Sequence, residues 1–231
     1  MPLRDDLEAV RDRTLTVLAD THDYFTYTKG AWRTLQLAVQ RDGLTFSLQN
    51  IATKSTVSEK DLLARAQRYV AEELASATLQ QFVSTFENFL FEVLRLWLLA
   101  HPKSLSSRQL SGRDILGLPD KAAIVDALVD KELKDVFYDR PANWFDYLKG
   151  KVDAGAPLAA EADQFAEIKA TRDVLVHGQG VANAYYVDKA GKAARAQPGQ
   201  LLDVPEPYHQ ASWDLIRKLV HDIGTGMAAK A

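Results

Sequence analysis

The sequence predicts an all-α fold, built as a bundle of helices. Apolar residues recur at three- and four-residue spacings through most of the 231-residue chain, which is the pattern of amphipathic helices. Residues that favour helix starts and ends, such as Ser58, Asp120 and Pro102, stand at the borders of these segments. The alternation typical of a strand is confined to residues 44–57. These three observations favour helices over sheets.

The first segment, residues 2–39, predicts one long or bent helix that ends in a turn at Arg41 to Gly43. Residues 44–57 then allow a brief extended segment. We treat residues 1–57 as a long N-terminal helical extension. The apolar positions of the first helix are Leu7, Val10, Leu15, Leu18, Tyr24, Phe25, Trp32 and Leu35.

The second helix is the predicted spine of a bundle over residues 58–231. Ser58 followed by Asp61 is an N-cap signal, and the apolar periodicity runs to His101, where Pro102 stops it. A loop with Ser106, Ser107 and the region from Gly112 to Gly117 follows and leads to Asp120.

Four further segments complete the predicted bundle. Asp120 caps a helix that runs through about residue 138, and Pro141 opens another over 141–152. The next helix spans about 159–177, and the last covers 207–224. Residues 188–207 contain Gly, Pro and Lys and predict a connector.

Composition restricts the function classes. The formal net charge of -3 and pI near 6.0 do not indicate a strongly basic nucleic-acid-binding surface, so any RNA contact has to be local. The absence of cysteine excludes disulfides, thiolate metal sites and cysteine nucleophiles. The N-terminus lacks an apolar signal core, and the most apolar stretch, 89–100, is interrupted by Glu92 and Arg95. We therefore expect a cytoplasmic protein without a membrane span.

Arg172 and His177 form the most informative pair in the chain. A second arginine–histidine pair, Arg95 and His101, has similar spacing, so context has to separate the two. On a helical wheel, Arg172 lies within an apolar arc of about 100°, whereas Arg95 lies on the polar side of its helix and is interpreted as a solvated charge. The arc that contains Arg172 consists of Phe165, Ile168, Leu175 and Val176.

Glu87 occupies the apolar side of the spine helix, and a buried charge needs a partner. We therefore predict a contact between Glu87 and Arg172. His177 lies about 140° around a regular helix from Arg172, so the helix has to end or deform before the two side chains can approach. Gly178 and Gly180 are expected to form a left-handed cap there.

Two interpretations of this segment stay open on the residues alone. In the structural one, His177 caps its helix while Arg172 holds the bundle by pairing with Glu87. In the chemical one, the imidazole and the guanidinium converge on a pocket that admits a phosphodiester.

The segment around Arg172, Asp173 and His177 resembles the active-site signature of the HEPN superfamily, an arginine separated by four residues from a histidine. The flanking residues Glu167, Gly180, Asn183 and Tyr186 agree with it, and residues 86–105 are similar to the early helix of its ribosome-associated and phage-defence members. The resemblance covers residues 59–224 and implies a HEPN-type helical bundle.

The resemblance implies a metal-independent endoribonuclease that uses no cofactor and no metal. His177 would be the acid and base, Arg172 would stabilise the phosphate, Asp173 would orient one of them, and Glu87 would hold the arginine. Glu167, Asn183 and Tyr186 would support the site. The implied partners are RNA, a second copy in a homodimer and an antitoxin protein, in toxin–antitoxin or antiviral defence; the alternative is a noncatalytic binding or assembly module.

Two residues depart from the family pattern. Asp173 stands where asparagine is most frequent, and Gln179 stands where some members carry a tyrosine that a partner nucleotidyltransferase modifies. That modification is therefore not expected here.

Other candidates are weaker. The dipeptides that begin at His22 and His221 lack the further ligands of a metal phosphohydrolase. Lys189, Lys192 and Arg195 are candidates for steering RNA phosphates, although solvated loop charges are the default interpretation.

Overall fold

Helices make up most of the described chain, and the all-α class is confirmed. The structure, a computed structural model, describes residues 2–42, 48–105 and 110–231. The predicted turn at Gly43 and the loop at Ser106 and Ser107 lie outside the described residues. The α-helices are α1 (Pro2–Asp42), α2 (Glu59–Arg68), α3 (Leu74–Ala100), α4 (Gly112–Leu116), α5 (Lys121–Phe137), α6 (Pro141–Lys151), α7 (Ala159–His177), α8 (Ala184–Ala190) and α9 (Glu206–Lys230).

The predicted extended segment is a short hairpin. Strand β1 (Leu48–Gln49) pairs with β2 (Thr56–Val57) in antiparallel register, Leu48 opposite Val57. The Asn50 side chain accepts hydrogen bonds from the backbone of Ala52 and Thr53, which forms the turn between the strands. The hairpin leads directly into the N-cap of α2.

The predicted spine consists of three consecutive helical segments. A five-residue π-helix, Tyr69–Glu73, separates α2 from α3, and the backbone stays in the right-handed helical region across both junctions. Ser58 caps α2 by accepting from the Asp61 amide at 3.2 Å. At the other end α3 stops before Pro102, as predicted, and Pro102 begins a 3₁₀-turn. The wider π-turn interrupts the helix without ending it.

Helix α1 is part of the main hydrophobic core, since it packs along α3 and α9. Two of its buried polar residues, Thr14 and Thr21, donate their hydroxyl hydrogens to the carbonyls of Val10 and Val17, so neither hydroxyl is left without a partner. The division at residue 57 stays a prediction about chain organisation. The α1 residues in this core are Leu7, Val10, Leu18 and Phe25.

Arg95, interpreted above as a solvated charge, joins two helices. It donates to Asp126 and Asp130, one turn apart on α5, and keeps 32% of its side chain exposed. The wheel placed Arg95 on the polar side of α3, but it could not show that the acidic face of α5 covers that side.

The helix that the Asp120 cap predicts is α5, and Asp120 accepts from the Ala123 amide at 2.8 Å.

No helix in the described part of the chain is both long enough and apolar enough to cross a bilayer. The most apolar helix, α3, is instead the centre of the core: Phe82, Phe86, Leu90 and Leu94 are fully buried.

The first turn of α9 buries His209 completely. Its Nε2 lies 2.7 Å from the Thr78 hydroxyl, and Phe25 stacks on the ring at 4.0 Å. Because the Thr78 hydroxyl also lies 2.7 Å from the Leu74 carbonyl, it donates there and accepts from Nε2. Nδ1 is then a buried acceptor, and it has no partner in the described part of the chain. A proton on Nδ1 would therefore be a buried donor without a partner.

We expect His209 to make the fold sensitive to acid. Burial, reinforced by the charge of His22, lowers the pKa of His209 from 6.5 to about 4. The folded state favours the neutral His209 imidazole. Its contribution to the free energy of unfolding is therefore complete above pH 6.5 and is lost as the pH falls towards 4. The free energy of unfolding should drop by about 2 kcal/mol between pH 7.5 and 5 from this residue.

Urea denaturation across this pH range measures that loss. The His209→Leu variant has an apolar side chain of similar size that cannot bind a proton. Its free energy of unfolding should therefore fall by about 2 kcal/mol less than that of the wild type over the same pH range. If the free energy of unfolding depended on pH equally in the two proteins, the prediction would be contradicted.

Candidate functional site

Helix α7 ends at His177 in a tight reversal. The Gly178 and Gly180 amides both donate to the Val174 carbonyl, at 2.8 and 3.2 Å. The expected left-handed cap is found one residue later than Gly178: Gln179 (φ 52°) and Gly180 (φ 80°) are left-handed, whereas Gly178 is not (φ −119°). A side chain at Gly178 would be tightly packed, because a Cβ there would lie 3.1 Å from the Val174 carbonyl oxygen.

After the reversal the chain folds back against α7. Residues 180–182 pair with 199–202 through three backbone hydrogen bonds, and Val181 and Leu201 form an isolated bridge. Between them lie α8 and a 3₁₀-turn, Gly191–Ala193. Much of the predicted connector is therefore ordered structure. Its apolar side packs on α7 in a small second core that consists of Ala170, Val174, Ala182, Tyr186, Ala190, Ala196 and Leu202.

A cavity of about 390 Å³ lies between the end of α7 and α8. Asp173 and His177 line it from α7, because a four-residue spacing places them on one helix face. Asn183 and Tyr186 line it from the other side, together with Tyr185 and Lys189. The volume is in the range of small-molecule sites, about 300–1,000 Å³.

Arg172 contacts Glu87, as predicted. Its Nη2 donates to Glu87 Oε2 on α3, and its Nη1 donates to Asp173 Oδ1 at 3.1 Å. Only 16% of the Arg172 side chain is exposed, and its buried Nε has no partner within the described residues. The guanidinium is outside the cavity lining and is separated from it by the Asp173 carboxylate.

Two lysines complete a charged network around this arginine. Lys169 Nζ lies 3.1 Å from Glu87 Oε1 and 3.1 Å from Asp173 Oδ2, and Lys189 Nζ lies 3.8 Å from Asp173 Oδ2. The three cations exceed the two carboxylates by one formal charge. A chain with a net charge of -3 thus carries a local positive excess beside the cavity.

Glu167 organises a second, buried network. Its Oε1 accepts from Thr171 Oγ1 (2.7 Å), the Tyr186 hydroxyl (2.8 Å) and Arg195 Nε (2.9 Å). Its Oε2 accepts from the Tyr208 hydroxyl at 2.8 Å. Burial raises the pKa of the Tyr186 and Tyr208 phenols, so both remain donors at neutral pH. This network fastens the returning chain to α7 and α9.

The structure thus divides the sequence-predicted residues into three groups. Asp173, His177, Asn183 and Tyr186 line the cavity, and Tyr186 also reaches Glu167 beneath it. Arg172 and Glu87 lie behind Asp173. Glu167 forms the third group, because it does not line the cavity and accepts the hydrogen bonds of the buried network. No hydrogen bond joins His177 to Arg172 among the described residues, because α7 stays helical through His177 and keeps the imidazole on the face of Asp173.

Arg195 and Val176 differ from expectation. Arg195, a candidate for steering phosphates, is paired with Glu167, and its Cζ lies 3.6 Å from the centre of the Tyr208 ring. Val176, assigned to the apolar arc, is 47% exposed in the last turn of α7.

Comparison with protein-family models gives no match, and comparisons with curated proteins and with solved structures give none either. The HEPN family is therefore an expectation from the motif, and the site has to be interpreted from its own geometry.

Lys169 and Tyr185 were missed by the sequence analysis. Lys169 precedes Arg172 by three residues and Asp173 by four, so its place on the same side of α7 was available as a signal. Tyr185 gave no comparable signal, because its exposure depends on which face of α8 packs against α7.

The two His–Asp dipeptides have local partners. His22 stacks on Trp213 at 4.2 Å and lies 3.0 Å from Gln210 Oε1, while His221 lies 3.0 Å from Asp222. Within residues 2–42, 48–105 and 110–231, no three His, Asp or Glu side chains are arranged to hold a metal ion.

Proposed function

We propose that this protein is a metal-independent endoribonuclease of HEPN type that acts in the cytoplasm in toxin–antitoxin or antiviral defence. One observation carries the proposal: His177 lines a cavity beside a network in which Lys169, Arg172 and Lys189 outnumber the carboxylates. Cleavage of RNA needs a group that exchanges protons near neutral pH and a fixed positive charge for the phosphate oxygens.

In this reaction the 2′-hydroxyl of a ribose attacks the adjacent phosphorus. The 2′-oxygen to phosphorus bond forms, the bond from phosphorus to the 5′-oxygen breaks, and the products are a 2′,3′-cyclic phosphate and a 5′-hydroxyl. The His177 imidazole accepts the proton from the 2′-hydroxyl, and a protonated imidazole returns one to the leaving oxygen. The positive charge of the network stabilises the phosphate oxygens as negative charge increases on them.

A homodimer supplies both protonation states at once, because the imidazole of one copy accepts a proton while that of the other donates. The exposed apolar side chains of Val176, Val181 and Leu201 lie close in the chain to His177 or bridge to its loop, which supports an interface on this side. An antitoxin protein that covers the same side would block the cavity.

A noncatalytic binding or assembly module is the second candidate. Arg172 is paired with Glu87 and Asp173 and is outside the cavity lining, which favours a structural role for the motif. In that case the network would hold α3 against α7 and no RNA would be cleaved.

An RNA cleavage assay in excess EDTA separates the two candidates. We expect a labelled single-stranded RNA to be cut at the same rate with and without the chelator, because no step in the mechanism uses a metal. Expression should also arrest growth of the host.

His101→Ala is the matched control for this assay. It removes the exposed histidine of the second arginine–histidine pair, which stacks on Trp97 far from the cavity in sequence, and should change neither cleavage nor toxicity. Intact RNA in the presence of folded protein, together with normal growth, would favour the module.

A further inference from the structure

Tyr185 is an exposed aromatic residue at the edge of the cavity. It is 70% exposed, whereas its neighbour Tyr186 is 2% exposed, because consecutive residues of a helix point about 100° apart. Lys189, one turn later on α8, places Nζ 5.0 Å from the centre of the Tyr185 ring. One face of the ring is thus next to a cation, and the rest of the ring is open to solvent.

Both residues line the same cavity as His177, and so does Asn183. The Asn183 Oδ1 accepts from the Tyr186 amide at 2.9 Å, which caps α8 and fixes the side chain. The amide nitrogen keeps its two protons for another acceptor. Beside the imidazole, the cavity rim therefore combines an aromatic face, a cation and an amide donor.

We propose that Tyr185 is a stacking platform for a nucleobase of single-stranded RNA, with Lys189 bound to a neighbouring phosphate and Asn183 donating to the base or sugar. The inference rests on the proposed nuclease function and names its substrate class. A base within a duplex has both faces stacked on its neighbours, so only an unpaired, unstacked nucleotide presents a face to Tyr185. The lysine matches the phosphate that links such a nucleotide to the next one.

The test measures binding separately from cleavage. The probe is a fluorescent single-stranded oligoribonucleotide with 2′-O-methyl groups throughout, which lacks the attacking hydroxyl and stays intact. Fluorescence anisotropy compares this strand with the same strand annealed to its complement. The variants are Tyr185→Ala, Tyr185→Phe and, as a matched control, Tyr27→Ala, which removes a 71% exposed tyrosine from α1.

We expect Tyr185→Ala to weaken binding of the single strand by about 5- to 160-fold, the loss of one base stacked on an aromatic ring. Tyr185→Phe keeps the ring and should bind within about twofold of the wild type, since stacking does not use the hydroxyl. Tyr27→Ala should have no effect, and the duplex should bind more weakly than the single strand. Because Tyr185 is exposed, its replacement leaves the core intact.

Equal affinity of Tyr185→Ala and wild type overturns the proposal, and so does a duplex that binds as tightly as the single strand or a wild type that binds neither. The outcomes for the nuclease function and for the stacking site can be distinguished. If the 2′-O-methyl strand binds through Tyr185 but unmodified RNA is never cleaved, the stacking site stands and the nuclease does not. If RNA is cleaved and Tyr185→Ala keeps full affinity, the nuclease stands and the stacking site does not.

Discussion

Replacing Glu167 by alanine is expected to lower the free energy of unfolding by about 3–5 kcal/mol, the usual cost of removing one member of a buried ion pair. The carboxylate is 5% exposed and accepts from three hydroxyls and from Arg195. Thr171 and Tyr186 have almost no access to water that could replace it. Urea denaturation monitored by circular dichroism measures the change.

Glu92→Ala is the control for this prediction. Glu92 also pairs with an arginine, at 2.7 Å from Arg13, but the two side chains are 44% and 60% exposed. An ion pair of this kind contributes about 0–1 kcal/mol because water solvates both charges. A loss for Glu167→Ala as small as that for Glu92→Ala would contradict the structural role of Glu167.

Much of the fold could be predicted because helices depend on local spacing and caps. Ser58, Asp120 and Pro102 each act where the sequence placed them, and the apolar period locates the starts of the long helices to within a few residues. The end of the last helix was predicted at Gly224, whereas α9 continues to Lys230. The π-helix at Tyr69–Glu73 was not predicted, since one wide turn barely changes the apolar period. The region from Gly112 to Gly117 was predicted as a loop, but it contains the short helix α4. This helix lacks an apolar period and depends on the Ser111 and Asp114 capping box.

The contact between Glu87 and Arg172 could be predicted because each charge interrupts an apolar helix face, and such charges pair when the faces meet. The direction of the His177 side chain could not be predicted, since it depends on the helical turn at which α7 ends. The partners of Arg95 and Arg195 were missed for a related reason. A helical wheel or a loop composition describes one segment, whereas these arginines are bound by acidic residues of other segments.

His177→Ala is expected to reduce the rate of RNA cleavage by about 10²- to 10⁴-fold, the typical contribution of a general acid or base. The side chain is exposed at the cavity and makes no hydrogen bond within the described residues, so its removal should leave the free energy of unfolding nearly unchanged. Single-turnover cleavage with enzyme in excess measures the chemical step, and urea denaturation of the same preparation measures stability. His101→Ala is the matched control.

Arg172→Ala separates the chemical from the structural interpretation of the motif, because the same side chain bonds to Asp173, which lines the cavity, and joins α7 to α3 through Glu87. Lys169 still neutralises Glu87 at 3.1 Å in the variant, so the protein should fold with reduced stability. If the guanidinium stabilises the phosphate, cleavage falls by about 10²- to 10³-fold and Arg172→Lys, which keeps the charge, recovers part of the rate. If it only holds the helices together, Arg172→Ala changes stability alone, and any RNA cleavage that the wild type has persists.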